Sequence, residues 1–463
     1  MTFARRGLFS PNLTFQLGLT LLLGLTFLFA FTTPSLCPGQ QPPSQPATAQ
    51  AIPAATQPAA QAYSLPPDKL AKAIALNRIR NILDIVSGLW GIGLLWLLLA
   101  TRSTARLEAW THRISPRRWV QGLIFFAILL VLITLGSLPL DVYGHYVSRD
   151  YGISIQGWGG WLGDQGKSLG ITVLLLTPVL LLFNWIVRVS PRRYWVWAWL
   201  ISLPLIVISV FAAPLLDPIF NKFEPLARTH SALVARLESV VARTGTHIAP
   251  DRMFLMKASA KSNGLNAYVT GIGATKRFVL WDTATDRLPD DEILFIFGHE
   301  SGHYVLNHIP KGIAVSAVAL FFVFRACAWF AGWLAGRFGA RWGLVGIEAG
   351  QNAFASRQGF LVLLFALSVA GVVLQPASNT YSRHIEHEAD IYGQEAIHGI
   401  VADPRKTAVG AFNHLGEAWL EDPDPSPFIE FWEYNHPSVQ TRANFAAHYD
   451  PWANGGRGRF FDR

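Results

Sequence analysis

The sequence predicts a mainly α-helical membrane protein, a bundle of seven transmembrane helices joined to a smaller α+β domain, and three observations carry that prediction. Hydrophobic residues make up 51% of the chain and charged residues only 15%, against roughly a quarter charged in an ordinary soluble protein. Seven apolar runs approach the roughly 20 residues that a helix needs to cross about 30 Å of hydrocarbon. Arginines cluster in the connections between these runs instead of forming one basic stripe with interleaved aromatics. The net charge of +8 therefore speaks for membrane orientation and contact with anionic lipid, and against nucleic acid as a partner.

The runs follow in order. Arg5 and Arg6 precede Leu13 to Phe31, a signal-like segment or first crossing within residues 1–37 that is long for a signal peptide. Residues 38–62 are rich in Pro, Ala and Gln and lack periodic apolar positions, as a flexible linker does. Within 63–220, crossings two to five fall at Ile82 to Thr101, Trp119 to Leu138, Leu169 to Val187 and Tyr194 to Ala213. Within 311–376, the last two fall at Ile313 to Leu334 and Phe360 to Leu374, the final run being short.

Arg102, Arg106, Arg113, Arg117 and Arg118 lie in one connection, Arg188, Arg192 and Arg193 in a second, and Arg337, Arg341 and Arg357 in a third. The intervening connection around Asp141, Asp150 and Asp164 is acidic. By the positive-inside rule the three basic connections face the cytoplasm, and the two polar regions, 221–310 and 377–463, share the other side. Cysteine contributes little: Cys37 sits in the linker and Cys327 in an apolar run, so neither a disulfide framework nor a cysteine metal site is expected.

In the first polar region, Leu226 to Ala242 has helical spacing, and Met253 to Met256, Ala267 to Val269 and Phe278 to Trp281 read as short strands. Pro289 followed by Asp290, Asp291 and Glu292 has the form of a helix start, predicting a helix through His308. On that helix His299 and His303 lie four residues apart, on one face, where they can grip one metal ion. Glu300 stands beside them, placed to take a proton from water activated by the ion.

A catalytic zinc needs a third protein ligand and an open position. Leu306 and Ile309 exclude the arrangement that takes a third histidine from this same stretch. The second polar region offers Glu386 and Asp390, again four apart on a predicted helix. Glu386 suits the metal, and Asp390 suits a hydrogen bond that fixes a metal-bound imidazole. Ala389 is small enough to let this helix approach the first. His384, His387 and Glu388 stay open as rivals for the third position. His308, five residues past His303, is expected to turn away from the ligand face and serve structure. Arg325, inside the sixth crossing, is expected to face a watery interior or pair with an acid.

The order and spacing of several segments resemble one family. They are Leu138-Pro139, Tyr143, Asp150-Tyr151-Gly152, Phe220 to Leu226, Asn266-Ala267-Tyr268, Phe278 to Thr283, His299 to His303, Asn307-His308, Arg383 to Asp390, Asn435 to Ser438, and Arg442. Together they resemble the type I CAAX prenyl endopeptidases, seven-helix membrane proteases with a glutamate-zincin (gluzincin) type metalloprotease domain. The resemblance covers the chain from about Tyr63 onward. It implies zinc held by His299, His303 and Glu386, Glu300 as general base, and Asp390 supporting a ligand. It also implies Asn266, Ala267 and Tyr268 along the substrate cleft, where an edge strand can add an extended peptide. His436 and the nearby Arg442 fall where an oxyanion would be steadied. The expected partners are a peptide or protein substrate and membrane lipid. Two other readings stand beside it: a heat-shock-type membrane quality-control protease, and a non-catalytic metal-binding scaffold or transporter. Against the second, a binding site needs no base at position 300.

Overall fold

The computed structural model describes residues 62–271, 273–344 and 352–462. The expected first crossing and nearly all of the linker lie outside them. The six remaining apolar runs all fall within long helices: α1 (Pro67–Ala100), α3 (Arg118–Asp150), α4 (Trp158–Val189), α5 (Tyr194–Phe220), α9 (His308–Trp342) and α10 (Arg357–Ala396). Five of these are long and apolar enough to span a membrane, and α5, bent by 54° at a break between Val210 and Pro214, makes six if it is one span. Of the seven expected crossings, six fall among the described residues, where five or six spans stand; the seventh lies outside them. α5 contains Pro204, Pro214 and Pro218, each of which removes a backbone donor and bends a helix.

Large apolar side chains stand exposed on these helices, among them Leu174, Leu215, Phe322 and Trp329, each more than 60% exposed. A water-facing surface does not sustain such a patch, whereas hydrocarbon does.

The helices outrun the apolar runs that announce them. Before its membrane stretch, α1 uses Ala73 and Leu76 as core. There Asn77 Nδ2 donates to Leu420 O (2.6 Å) and Arg80 donates to Trp419 O (2.8 Å), anchoring it to α11 (Pro404–Trp419). A short helix, α2 (Ser103–Ile114), occupies the first basic connection. At that end the three basic connections meet. Arg102 Nε donates to Arg341 O (2.9 Å), Asn352 Nδ2 to Val187 O (2.8 Å), and Arg357 pairs with Glu108 (3.3 Å). Glu108 also accepts the backbone N–H of Arg357 and Gln358, satisfying donors that the start of α10 would otherwise leave open. Arg325, expected to face a watery interior or pair with an acid, lies with its guanidinium over the Trp195 ring (5.9 Å), a cation–π contact.

A large apolar core lies inside the helix bundle and another in the domain beyond it, with a small third cluster around Met256, Ala258 and Val279. The domain contains a four-stranded sheet, β1 (Phe223–Pro225), β2 (Met253–Met256), β3 (Ala267–Thr270) and β4 (Arg277–Trp281), in the order β1-β2-β4-β3. β2 and β4 are parallel and the outer pairs antiparallel. α6 (Ser231–Thr244) and the short α7 (Asp282–Thr285) flank it, followed by α8 (Asp290–Val305). α11, α12 (Pro427–Glu433) and α13 (Val439–His448) complete the domain.

Candidate metal centre

α8 begins after Pro289 with Asp290, Asp291 and Glu292 in its first turn, as expected, but stops at Val305 instead of continuing through His308. Asn307 adopts the left-handed conformation (φ 58°), which an asparagine tolerates better than other non-glycine residues, and α9 starts afresh at His308. From Glu292 to His303, α8 is buried.

α8 and α10 cross closely because glycines stand at the crossing. A Cβ on Gly393 would lie 2.8 Å from His299 N, one on Gly298 3.1 Å from Gly393 O, and one on Gly302 3.0 Å from the Tyr392 Cβ. Ala389 is fully buried. The approach brings residues some 90 positions apart into one cluster.

His299 Nε2 lies 3.2 Å from His303 Nε2 and 3.2 Å from Glu386 Oε2, and His303 Nε2 lies 3.6 Å from Glu386 Oε1. A tetrahedral ion with bonds of about 2.05 Å separates its ligand atoms by about 3.3 Å. All three side chains are at most 2% exposed. Among the described residues, they are the group of His, Cys, Asp and Glu spaced to hold a metal. Asp390 Oδ1 lies 2.8 Å from His299 Nδ1. A carboxylate only accepts, so the Nδ1 proton points to it and the Nε2 lone pair faces the cluster. Glu386 Oε2 is buried and finds no hydrogen bond of good geometry among the described residues. Such converging acceptors call for a cation, and this donor set fits zinc.

Without an ion, a proton serves in its place. Burial alone would lower the His299 pKa, but the Asp390 hydrogen bond and the adjacent Glu386 carboxylate outweigh burial and raise it to about 9. Behind Asp390 stands Arg442, whose Nε and Nη2 fork onto the two carboxylate oxygens at 2.9 and 2.6 Å. The guanidinium is buried, lies over Phe412 (4.6 Å) and has its pKa raised by Asp390 against the cost of burial. Arg442 is thus joined to the cluster through Asp390, one layer behind the imidazole.

Glu300 is 1% exposed, and its Oε2 accepts the backbone N–H of Val269 (3.3 Å). His436 Nε2 lies 3.3 Å from Glu386 Oε2, and its Nδ1 lies 2.9 Å from Asn435 Oδ1. Burial pushes the His436 pKa down to about 4 in spite of the neighbouring Glu386 carboxylate, so the ring is neutral near pH 7.

The strand residues sort by register. Trp281 N donates to Asn266 O (3.1 Å), and Ala267 to Thr270 pair with Leu280 to Arg277. Because antiparallel pairs alternate, Ala267 and Val269 turn their backbone groups to the free edge of β3. Asn266 and Tyr268 turn theirs to β4. The Tyr268 hydroxyl meets Asp217 (3.1 Å), which also pairs with Arg277 (3.0 Å). Val269 was not singled out by sequence, although the alternation of a strand is enough to name it. Of the rivals for the third position, His384 is exposed and His387 packs against Phe445 (4.5 Å). Glu388 Oε2 lies 3.4 Å from His308 Nε2.

His308 departs most from expectation. The break at Asn307 swings it back, so that its buried ring places Nδ1 3.1 Å from His303 Nδ1. A continuous helix would have pointed it away.

The fold and the cluster together define a membrane-embedded zinc metallopeptidase, a peptide hydrolase. Residues 49–222 match the model of the CAAX prenyl protease N-terminal region, described as five membrane helices, and residues 227–450 match that of peptidase family M48. The "Uncharacterized metalloprotease YhfN" of Bacillus subtilis is 33% identical over 387 residues, 82% of this chain and 86% of that one. The chain belongs to peptidase family M48. "CAAX prenyl protease 1" of Saccharomyces cerevisiae is 32% identical over 236 residues, half of each chain. The "CAAX prenyl protease 1 homolog" of Homo sapiens is 24% identical over 70% of this chain and 72% of its own. The crystal structure of S. mikatae Ste24p shares the fold, with a TM-score of 0.67 at 22% identity, covering 82% of this chain and 90% of that one.

Proposed function

We propose that His299, His303 and Glu386 hold the zinc ion and that Glu300 is the general base of peptide-bond hydrolysis. The spacing of the three buried ligand atoms at the edges of a tetrahedron carries this reading. When bound, zinc supplies a Lewis acid that makes water acidic near neutral pH and polarises a carbonyl. Glu300, aimed by the Val269 N–H, takes a proton from the attacking water and returns it to the leaving amine. Neutral His436 donates an N–H to the negative charge that develops on the carbonyl oxygen. Asp390 fixes the tautomer of His299, and Arg442 keeps Asp390 ionised and aimed. An extended substrate adds to the free edge of β3, between Asn266 and Val269, with Ala267 offering its backbone groups and Tyr268 flanking.

Residues 63–220 and 311–376 form the membrane part, and 221–310 with 377–463 the catalytic part. The meeting of the three arginine-rich connections at one end supports a catalytic domain on the extracytoplasmic side. A single cysteine at exposed Arg457, labelled in intact cells by a membrane-impermeant thiol reagent, tests the side: protection there sinks it.

The substrate is a peptide or protein at the membrane. Relatives named for prenylated substrates favour a membrane-tethered one over the damaged proteins of a quality-control enzyme. The decisive experiment measures zinc content and peptide cleavage for the native chain and Glu300→Gln. Zinc stays stoichiometric while cleavage falls about 10²–10⁴-fold, the range expected for loss of a general base. Undiminished cleavage by Glu300→Gln overturns the assignment.

A further inference from the structure

We propose that His308, Glu388 and Arg459 form a second positioning chain that sets the tautomer of His303, resting on the reading that His303 binds zinc through Nε2. Each imidazole of the cluster has its Nδ1 engaged, but in different ways. His299 meets Asp390 directly, with Arg442 behind it. His303 meets another imidazole, His308, with Nδ1 to Nδ1 at 3.1 Å.

Two facing nitrogens make one hydrogen bond only if one carries the proton and the other a lone pair. His303, with Nε2 turned to the cluster, must carry its proton on Nδ1. His308 must then accept at Nδ1 and keep its own proton on Nε2. That nitrogen is buried and has no hydrogen bond of good geometry among the described residues. The carboxylate facing it is Glu388, at 3.4 Å, within reach of a long charge-assisted contact. An acceptor-only group in this position selects the Nε2–H tautomer of His308, and through it the Nδ1–H tautomer of His303.

Glu388 is in turn paired with Arg459, near the end of the described chain. The backbone there is pinned: Glu395, fully buried, accepts the N–H groups of Arg459 (2.6 Å), Phe460 (2.7 Å) and Phe461 (3.0 Å). Phe460 and Phe461 pack on Tyr392 (5.6 and 5.0 Å), which also packs against Gly302 of α8. The carboxyl-terminal segment is thereby built into the support of the metal site, and His308, Glu388 and Arg459 are positioning residues.

The test uses full-length protein in detergent, with zinc affinity read against a competing chelator and the absorption spectrum of the cobalt(II) form as a second readout. His308→Phe keeps the ring volume and removes the acceptor, and zinc affinity falls about 10–100-fold with altered cobalt bands. His308→Asn, whose Oδ1 takes the place of Nδ1, restores affinity to within about threefold of native. Native affinity and a native spectrum for His308→Phe overturn the proposal, as does a His308→Asn no better than His308→Phe. Should His308→Phe fail to fold, Glu388→Leu, which removes the acceptor facing His308 Nε2, decides: weaker zinc binding supports the chain and native binding overturns it. His303→Ala separates the two levels. If it retains zinc, the ligand assignment itself fails; if it loses zinc while His308→Phe binds normally, only the positioning chain fails.

Discussion

The two helices that build the metal cluster meet the membrane in opposite ways. α8 is short, ends at Val305, and is separated from the membrane helix α9 by the left-handed Asn307. α10 has no such stop: its 40 residues run from the membrane through Pro376 to Ala396 and carry Glu386 and Asp390 on one face. The difference teaches that a ligand can be oriented through helical spacing or through a turn. Asp390 reaches His299 from a fixed place on an unbroken helix, whereas His308 reaches His303 only because the chain reverses at one residue.

The comparison breaks most completely at the crossing. Gly393→Val puts side-chain atoms where His299 N already stands, and overpacking of this kind costs about 1–3 kcal/mol. Such a variant purifies with little zinc and melts early, measured by metal analysis and thermal unfolding. A native zinc content in Gly393→Val shows that the helices have room to spare.

Asp390→Asn comes next. It keeps the shape of the support but removes the charge that holds the His299 proton, so zinc affinity falls about 10–100-fold while the fold persists. Equal affinity for native and Asp390→Asn in a chelator competition removes Asp390 from the account.

A third expectation concerns pH. In the metal-free protein His299 is raised from an ordinary value of 6.5 to about 9. This stabilises the empty fold fully below pH 6.5 and is lost as pH rises through about 9. Zinc must displace that proton, so affinity rises about tenfold per pH unit between 7 and 9 and then levels off. Calorimetry in buffers of different ionisation enthalpy reads the released proton, and a flat affinity across this range refutes it.

The smallest effect belongs to the turn. Asn307→Ala raises the cost of the left-handed conformation by about 1 kcal/mol, lowering denaturation midpoints slightly and zinc affinity a few-fold, while Asn307→Gly stays near native. An Asn307→Ala protein with unchanged midpoint and affinity would mean that the turn does not hold His308.

These contrasts also mark what could be read from residue order. His299, Glu300 and His303 were legible because their relation is local, one helical turn, as is that of Glu386 to Asp390. Six apolar runs located six helices, yet hydropathy marks where a helix touches lipid and is blind to where it ends. The outward reach of α1 and the continuity of α10 from Phe360 to Asp390 were therefore invisible. The fork of Arg442 onto Asp390 joins positions 52 apart, and no periodicity connects them. His308 was misplaced because one asparagine broke the helix that the spacing assumed. β1 escaped notice because Pro225 argues against a strand, and only an outermost strand tolerates it.

The unbroken α10 has a mechanical consequence. From Arg357, clamped by Glu108 at the far end of the bundle, to Glu386 is about 43 Å at 1.5 Å per residue. Over that arm, a tilt of one degree moves the carboxylate by roughly 0.8 Å, more than the roughly 0.5 Å that a catalytic constellation tolerates. A small tilt of α10 about the Glu108–Arg357 clamp is therefore felt at Glu386, because one helix joins the far end of the bundle to the metal site.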